Sequence, residues 1–69
     1  MNTNIGKRIR EIRQESKLNQ KQFGELLSVS QDTVSLWETG KSLPTAEFLI
    51  LISKIFHVSV DYILGLKDY

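Results

Sequence analysis

Apolar residues recur at helical spacing along the chain. Ile5, Ile9 and Ile12 lie at i, i+4 and i+7, which places one apolar stripe on a first helix that ends near Ser16. No segment of useful length alternates apolar and polar residues in the way that a half-buried strand does. The pattern therefore predicts an all-α fold.

Residues that favour helix ends divide this pattern into separate helices. Asn19 is a suitable N-cap for a second helix over residues 20–27, and Ser30 is a suitable N-cap for a third helix of similar length. Gly40 supplies the positive φ that ends the third helix. Two short helices joined by a very short turn are therefore expected in the middle of the chain.

The second half of the chain carries signals for two more helices. Pro44 interrupts the chain, Thr45 begins a fourth helix, and the apolar residues of 48–56 fill it. Ser59 caps a short fifth helix, which Gly65 ends. The sequence thus predicts five helices and no sheet, in a single domain that covers residues 1–69.

Charge is distributed unevenly along a chain that is nearly neutral as a whole. The formal net charge is +1, but residues 1–21 hold six basic side chains against two acidic ones. The remaining residues carry an acidic excess, so the molecule is expected to be bipolar. The basic end is the one that would approach phosphate groups.

Composition excludes several classes of protein. The chain has no cysteine for a disulfide or a thiolate metal site, its longest apolar run is five residues, FLILI, and no secretory signal is evident. Its single histidine, His57, has no partner for a metal site or an acid–base pair. We therefore expect a cytoplasmic protein that is not an enzyme and has no metal, cofactor, membrane segment or evident small-molecule ligand.

The two central helices carry apolar residues where a helix-turn-helix needs them. Gly24 offers a small surface that allows the helices to approach closely. Five positions that face one interior are apolar: Phe23, Leu27, Val29, Val34 and Trp37. This packing pattern alone also fits any helical hairpin.

The opposite side of the third helix is polar. If Val34 and Trp37 point inward, the step of about 100° per residue turns the side chains of Gln31, Asp32, Ser35 and Thr39 outward. Such a helix fits the DNA major groove, where a glutamine can bond N6 and N7 of adenine together. An ordinary solvated face is the alternative interpretation.

Four segments, in order and at matching spacing, resemble one protein family. They are Gln20, the VSQ of residues 29–31, the WETGK of 37–41 and the VSVDYILG of 58–65. This pattern is similar to the helix-turn-helix domain of the Cro and lambdoid phage repressor group, also called the xenobiotic-response-element family. The resemblance spans nearly the whole chain and implies a five-helix, lambda-repressor-like domain whose helices 2 and 3 form the helix-turn-helix, over about residues 20–39.

The resemblance also implies roles for individual residues. Gln31, Asp32 and Leu36 match positions that touch base edges, and Ser35 lies on the same outward face. Arg13 and Glu38 match an ion pair between the first and third helices. The positions that match or flank phosphate contacts are Arg13, Asn19, Gln20, Ser30, Thr39, Lys41 and Ser42.

This chain departs from the family pattern at five positions. Leu36 stands where arginine or glutamine is common, so it reads a thymine methyl group or nothing. Asp32 is acidic, and accepting from cytosine N4, repelling wrong sites and capping the helix all remain open. Lys17 and Ser28 stand where glycine is common, which predicts a left-handed backbone at each, and Gly24 replaces the usual alanine.

The fourth helix has more apolar residues than one buried face requires. In the family's register the residues that point inward are Leu49, Ile50, Ile52 and Phe56. A second stripe then remains, and with the fifth helix it forms a possible twofold dimer interface: Phe48, Leu51, Ile55 and Tyr62. A small core with one broad apolar face is the competing interpretation.

The sequence therefore predicts a transcriptional regulator that binds double-stranded DNA in a sequence-specific manner. A repressor that recognises a palindromic operator as a homodimer is the expected form. The alternative is a protein-interaction module, such as an antitoxin or an adaptor, that uses the same fold.

Overall fold

A computed structural model describes residues 4–68, and within this range the chain forms five helices and no strand. The helices are α1 (Asn4–Glu15), α2 (Gln20–Leu27), α3 (Gln31–Glu38), α4 (Ala46–Phe56) and α5 (Val60–Ile63). The predicted all-α, five-helix fold is confirmed. Between residues 4 and 68, none of the helices has the length and apolar character needed to span a bilayer.

Side chains just before the helices satisfy backbone donors, as the sequence predicted at three of four positions. Asn19 and Gln22 form a reciprocal capping box, in which Asn19 Oδ1 accepts from the Gln22 amide at 2.7 Å and Gln22 Oε1 accepts from the Asn19 amide at 2.9 Å. Ser30 and Ser59 cap α3 and α5 through their hydroxyl oxygens. Thr45 holds the N-cap position of α4 without a side-chain hydrogen bond to the helix.

Left-handed residues follow the helices and turn the chain into the next segment. Lys17 and Ser28 have φ values of 59° and 60°, which confirms the prediction for both, and Gly40 and Gly65 have φ values of 78° and 80°. His57, with φ of 59°, adopts the same conformation at the end of α4. Each of these three non-glycine residues accepts a backbone strain that glycine would avoid.

One apolar core lies between α1, the α2–α3 pair and the inner sides of α4 and α5. Its buried members are Ile5, Ile9, Ile12, Phe23, Leu27, Val34, Trp37, Ile52 and Ile63. Val29, predicted to face the interior, is only partly buried because it lies in the exposed turn between α2 and α3, where it still packs against the core.

Two glycines allow the backbones around α3 to approach closely. A Cβ atom on Gly24 would lie 2.6 Å from the carbonyl oxygen of Val29, so this glycine allows the close approach of α2 and α3 that was predicted, and an alanine here would make the turn shift. A Cβ atom on Gly6 would meet the carbonyl oxygen of Trp37 and would lie 2.8 Å from that of Glu38. The role of Gly6, which seats α1 directly on the end of α3, was not predicted.

The register of α4 differs from the predicted one. Ile50, expected inside, is 49% exposed, whereas Phe48 is half-buried with its ring 5.4 Å from that of Trp37. Ile55 is also half-buried against the core. The contact with Trp37 draws Phe48 toward the core and turns Ile50 outward, so the apolar residues exposed on α4 are Ile50 and Leu51.

Candidate nucleic-acid interface

The helix α3 is held from one side and open on the other. Val34 and Trp37 are buried, and α3 packs against both α2 and α1. On the opposite side Gln31 and Asp32 are exposed and Leu36 is 41% exposed. The predicted arrangement, in which two apolar anchors leave the leading polar residues of α3 outside, is confirmed.

A partly buried polar network fixes the carboxyl end of α3. The side chain of Glu38 is 4% exposed and accepts from Arg13 Nε at 2.6 Å and Arg13 Nη2 at 3.1 Å, which confirms the predicted ion pair. Arg13 Nη1 donates to the Leu18 carbonyl at 3.0 Å, and Gln20 Nε2 donates to Glu38 Oε1 at 3.2 Å. The network ties α1, the α1–α2 turn and the start of α2 to α3.

This network engages two of the residues that were predicted to contact phosphate. The hydrogen bond to Glu38 raises the pKa of Arg13 above its ordinary value. All three guanidinium nitrogens of Arg13 already donate within the protein, as does the amide nitrogen of Gln20. For both side chains the phosphate contact stays a prediction, and it would have to use their remaining N–H groups.

The N-terminus of α3 is capped by Ser30. Ser30 Oγ accepts from the Thr33 amide at 3.1 Å and shares a hydrogen bond of 3.0 Å with the Thr33 hydroxyl. Ser30 therefore fills the capping role that the sequence left open for Asp32. The carboxylate of Asp32 is exposed and makes no hydrogen bond or ion pair with any residue of the described range, 4–68.

The loop after α3 is closed by its own hydrogen bonds. Thr39 Oγ1 donates to the Ser35 carbonyl at 2.9 Å, and the amides of Lys41 and Ser42 both donate to the Leu36 carbonyl, at 3.0 and 3.2 Å. These bonds occupy the Thr39 hydroxyl proton and the backbone amides of Lys41 and Ser42, three residues that were predicted to contact phosphate. The side chain of Lys41 is exposed.

A further cation lies beside the predicted site. Lys21 is exposed in the first turn of α2, next to Gln20. A positive charge is unfavourable at a helix N-terminus, and α2 has no acidic residue in its first turn. Lys21 was not among the site residues predicted from the sequence, although its place in the first turn of the predicted second helix was a signal that could have identified it.

The four residues predicted for a dimer interface are not on one exposed face. Phe48 and Ile55 pack against the core, and only Leu51 is exposed. Tyr62 is half-buried beneath the guanidinium of Arg8, whose carbon lies 4.4 Å from the ring centre. The Tyr62 hydroxyl donates to Glu11 Oε1 at 3.4 Å, so the contacts of Tyr62 lie within the monomer. The hydrogen bond to Tyr62 also raises the pKa of Arg8.

Known proteins resemble this chain in sequence and in structure. The helix-turn-helix family profile matches residues 9–63. Over 88% of its length the chain is 40% identical to the HTH-type transcriptional activator BcrR of Enterococcus faecalis, and over 93% it is 38% identical to repressor protein C2 of Salmonella phage P22. It spans only 30% of the length of each of these relatives.

A solved structure shares the fold of most of the chain. The P22 c2 repressor protein in complex with a synthetic operator matches with a TM-score of 0.83 and 35% identity, over 91% of this chain and 96% of that one. Because the family profile also covers most of the chain, the resemblance seen in its motifs is confirmed. The chain belongs to the helix-turn-helix family, in the group of Cro and the lambdoid phage repressors.

Proposed function

We propose that this chain is the DNA-binding domain of a transcriptional regulator and that the start of α3 reads base pairs in the major groove. The observation that carries the proposal is the exposure of Gln31 and Asp32 on a helix whose opposite side is anchored by the buried Val34 and Trp37. The P22 c2 repressor, which shares this fold, was solved with a synthetic operator. A rigid helix with a free polar end suits direct readout.

Each exposed residue of this face suits a particular base edge. Gln31 is able to bond N6 and N7 of adenine together. Asp32, which is not needed as a cap, carries a carboxylate that only accepts and so favours N4 of cytosine. Leu36, at 41% exposure, is placed to contact a thymine methyl group, and the partly exposed Ser35 adds a hydroxyl.

Phosphate binding is assigned to the two ends of the helix-turn-helix. The capping box uses the amides of Asn19 and Gln22, so the amides of Gln20 and Lys21 at the start of α2 point free of the helix. A phosphate there also offsets the unfavourable position of the Lys21 cation. Lys41 provides the second contact, after α3.

The remaining predicted phosphate residues support these two contacts. Arg13 orients Glu38 and Gln20 while keeping N–H groups for the backbone of the DNA. Ser30, Thr39 and Ser42 lie just before and just after α3, where the sugar-phosphate backbone of the bound DNA would contact them. Each of these contacts is proposed on the family resemblance.

For the whole protein we propose a cytoplasmic repressor that binds a palindromic operator as a homodimer. Two copies related by a twofold axis match the symmetry of a palindromic operator. The relatives include a protein named as a repressor and one named as an activator. The sign of regulation is therefore measured directly, by expression of a reporter placed downstream of the selected site.

The proposal is tested by selecting bound sites from random duplex DNA and then comparing two variants on the selected and on a random site. Gln31→Ala should lose about 1–3 kcal/mol on the selected site and relax the preference at one base pair. Lys41→Ala should weaken binding to both sites alike and reduce the slope of log K against log salt by about one unit. Lys54→Ala, a substitution of an exposed lysine on α4 that lies outside the basic segment of residues 1–21, is the matched control.

Two outcomes would contradict the proposal. Equal losses for Gln31→Ala on selected and random DNA would remove direct readout by this residue. Failure of the unmodified chain to retain any duplex at low salt would exclude DNA binding and favour a protein-interaction module.

A further inference from the structure

Asp32 and Leu36 form an exposed pair on the outward face of α3. They lie at i and i+4, so they are neighbours on one face of the helix, about 6 Å apart along its axis. The carboxylate of Asp32 is exposed and makes no hydrogen bond or ion pair with residues 4–68, and Leu36 is 41% exposed. The pair therefore offers a hydrogen-bond acceptor and an apolar surface side by side.

The backbone that carries this pair is held from both sides. The buried Val34 and Trp37 anchor the inner side of α3. The Leu36 carbonyl accepts hydrogen bonds from the amides of Lys41 and Ser42, at 3.0 and 3.2 Å, so the following loop closes onto it. A pair whose backbone is fixed before binding loses little conformational freedom when it binds.

Each of the two side chains has a simpler explanation when it is taken alone. An acidic residue in the first turn of a helix is stabilised by the helix dipole, which suffices for Asp32. A single exposed leucine is common on protein surfaces. Neither explanation requires the two residues to be neighbours on the one face of α3 that is proposed to enter the groove.

The direction of side chains in a helix brings the two groups of the pair closer together. Leucine side chains lean toward the helix N-terminus, so the surface that a leucine covers lies over the turn before its own Cα atom. The methyl groups of Leu36 therefore lean toward the turn that carries Asp32. A base that fits the pair must present a hydrogen-bond donor and an apolar group next to each other.

The bases differ in whether a donor and a methyl group are adjacent in the major groove. Cytosine presents its N4 donor beside a bare C5 hydrogen, and thymine presents its methyl group beside the O4 acceptor. In an A·T pair this O4 lies between the adenine N6 donor and the methyl group, and it would repel a carboxylate. The base 5-methylcytosine places the N4 donor and a C5 methyl group next to each other.

We propose that Asp32 and Leu36 together read 5-methylcytosine, so that the chain binds a cytosine-methylated site more tightly than the same site without the methyl group. The Asp32 carboxylate accepts from N4, and Leu36 packs on the C5 methyl group. The inference rests on the proposed function, because it requires α3 to enter the major groove. It goes further by making a covalent mark on the DNA part of what is recognised.

A test adds and removes single methyl groups in a selected site. The cytosine to be modified is the one whose preference is lost in Asp32→Asn, and matched duplexes carry cytosine or 5-methylcytosine at this position. A second set carries deoxyuridine in place of each neighbouring thymine, which removes the thymine methyl group. Fluorescence anisotropy measures the dissociation constants of the parent and of Leu36→Ala on every duplex, and circular dichroism checks that each variant is folded. Leu26→Ala, at a leucine of α2 that is 50% exposed, is the matched control.

The methylated duplex should bind the parent about three- to fivefold more tightly than the unmethylated one, which is the effect of burying one methyl group. Leu36→Ala should bind both duplexes equally, and Leu26→Ala should keep the preference of the parent. Leu36→Gln, which keeps the length of the side chain but ends in a polar amide, should also lose the preference.

Several results would overturn the proposal while DNA binding stands. They are equal binding of the two duplexes by the parent, a preference that survives in Leu36→Ala, and a selected site without a cytosine that depends on Asp32. A loss on a deoxyuridine duplex without any gain from 5-methylcytosine would assign Leu36 to a neighbouring thymine instead. Failure of the parent to retain any duplex would contradict the proposed function itself, and this inference with it.

Discussion

Replacing Glu38 with glutamine probes the network that holds the recognition helix in place. The carboxylate accepts three hydrogen bonds, two from Arg13 and one from Gln20, and its side chain is only 4% exposed. Glutamine keeps the shape but replaces one acceptor oxygen with an NH₂ group that faces other N–H donors. The guanidinium of Arg13 then loses its counter-ion in a largely buried site.

The size of the effect follows from the contacts that are lost and kept. Breaking a buried pair costs about 3–5 kcal/mol, but Arg13 is 13% exposed and retains its hydrogen bond to Leu18, so we expect about 2–3 kcal/mol. For a domain of this size each kcal/mol lowers the Tm by about 4–8 °C, so the Tm should fall by about 8–24 °C.

Thermal and urea unfolding followed by circular dichroism measure this change. Glu25→Gln, at an exposed glutamate of α2, is the matched control and should stay within about 0.5 kcal/mol of the parent. Arg13→Met and the double variant complete a cycle in which the two sites should couple by about 1–3 kcal/mol. Additive effects, or a Glu38→Gln variant as stable as the parent, would refute the role assigned to the network.

Three further predictions concern a glycine of α1, the left-handed residue that follows α2, and the base specificity of α3. Gly6→Ala should lower the free energy of unfolding, measured in urea, by about 1–2 kcal/mol, because the clash with the Trp37 carbonyl exceeds the gain in helix propensity. Gln14→Ala, at an exposed position of the same helix, is the control and should leave the free energy of unfolding unchanged. Equal stability of the two variants would exclude the clash. Ser28→Gly should raise the unfolding free energy by about 0.5–1 kcal/mol by relieving the left-handed backbone, and a loss in the same assay would contradict this. Asp32→Asn should abolish a preference for cytosine at one operator position in selected sites, whereas an unchanged preference would show that the carboxylate reads no base.

Much of the fold was predictable because its signals are local. Asn19, Ser30 and Ser59 act as caps within three residues of the amides they bond, so their roles follow from short stretches of sequence. The strain at Lys17 and Ser28 was predicted from the family resemblance instead, because both residues stand at turn positions where the family commonly has glycine.

The errors concern contacts between segments that are distant in the chain. Apolar residues around α4 allow more than one helical register, and the choice depends on whether Phe48 or Ile50 meets the ring of Trp37 from α3. The tight fit at Gly6 likewise depends on the distance between α1 and the end of α3. Periodicity within a helix does not contain this information.

The candidate site was predictable only in part. The exposure of Gln31 followed from the inward positions of Val34 and Trp37, because one helical period relates them. The ion pair of Arg13 with Glu38 was expected from the family resemblance, but the hydrogen bonds that Arg13 donates to the Leu18 carbonyl and that Thr39 donates to the Ser35 carbonyl were seen only in the folded chain.

The central claim is that the leading polar residues of α3 enter a DNA groove, and an NMR titration of the ¹⁵N-labelled chain with a selected duplex tests it most directly. The largest shifts are expected at the amides of Gln20 and Lys21, at residues 31–36 and in the loop around Lys41. Shifts confined to the outer side of α4, or no shifts in α3 when the duplex is saturating, would contradict the claim.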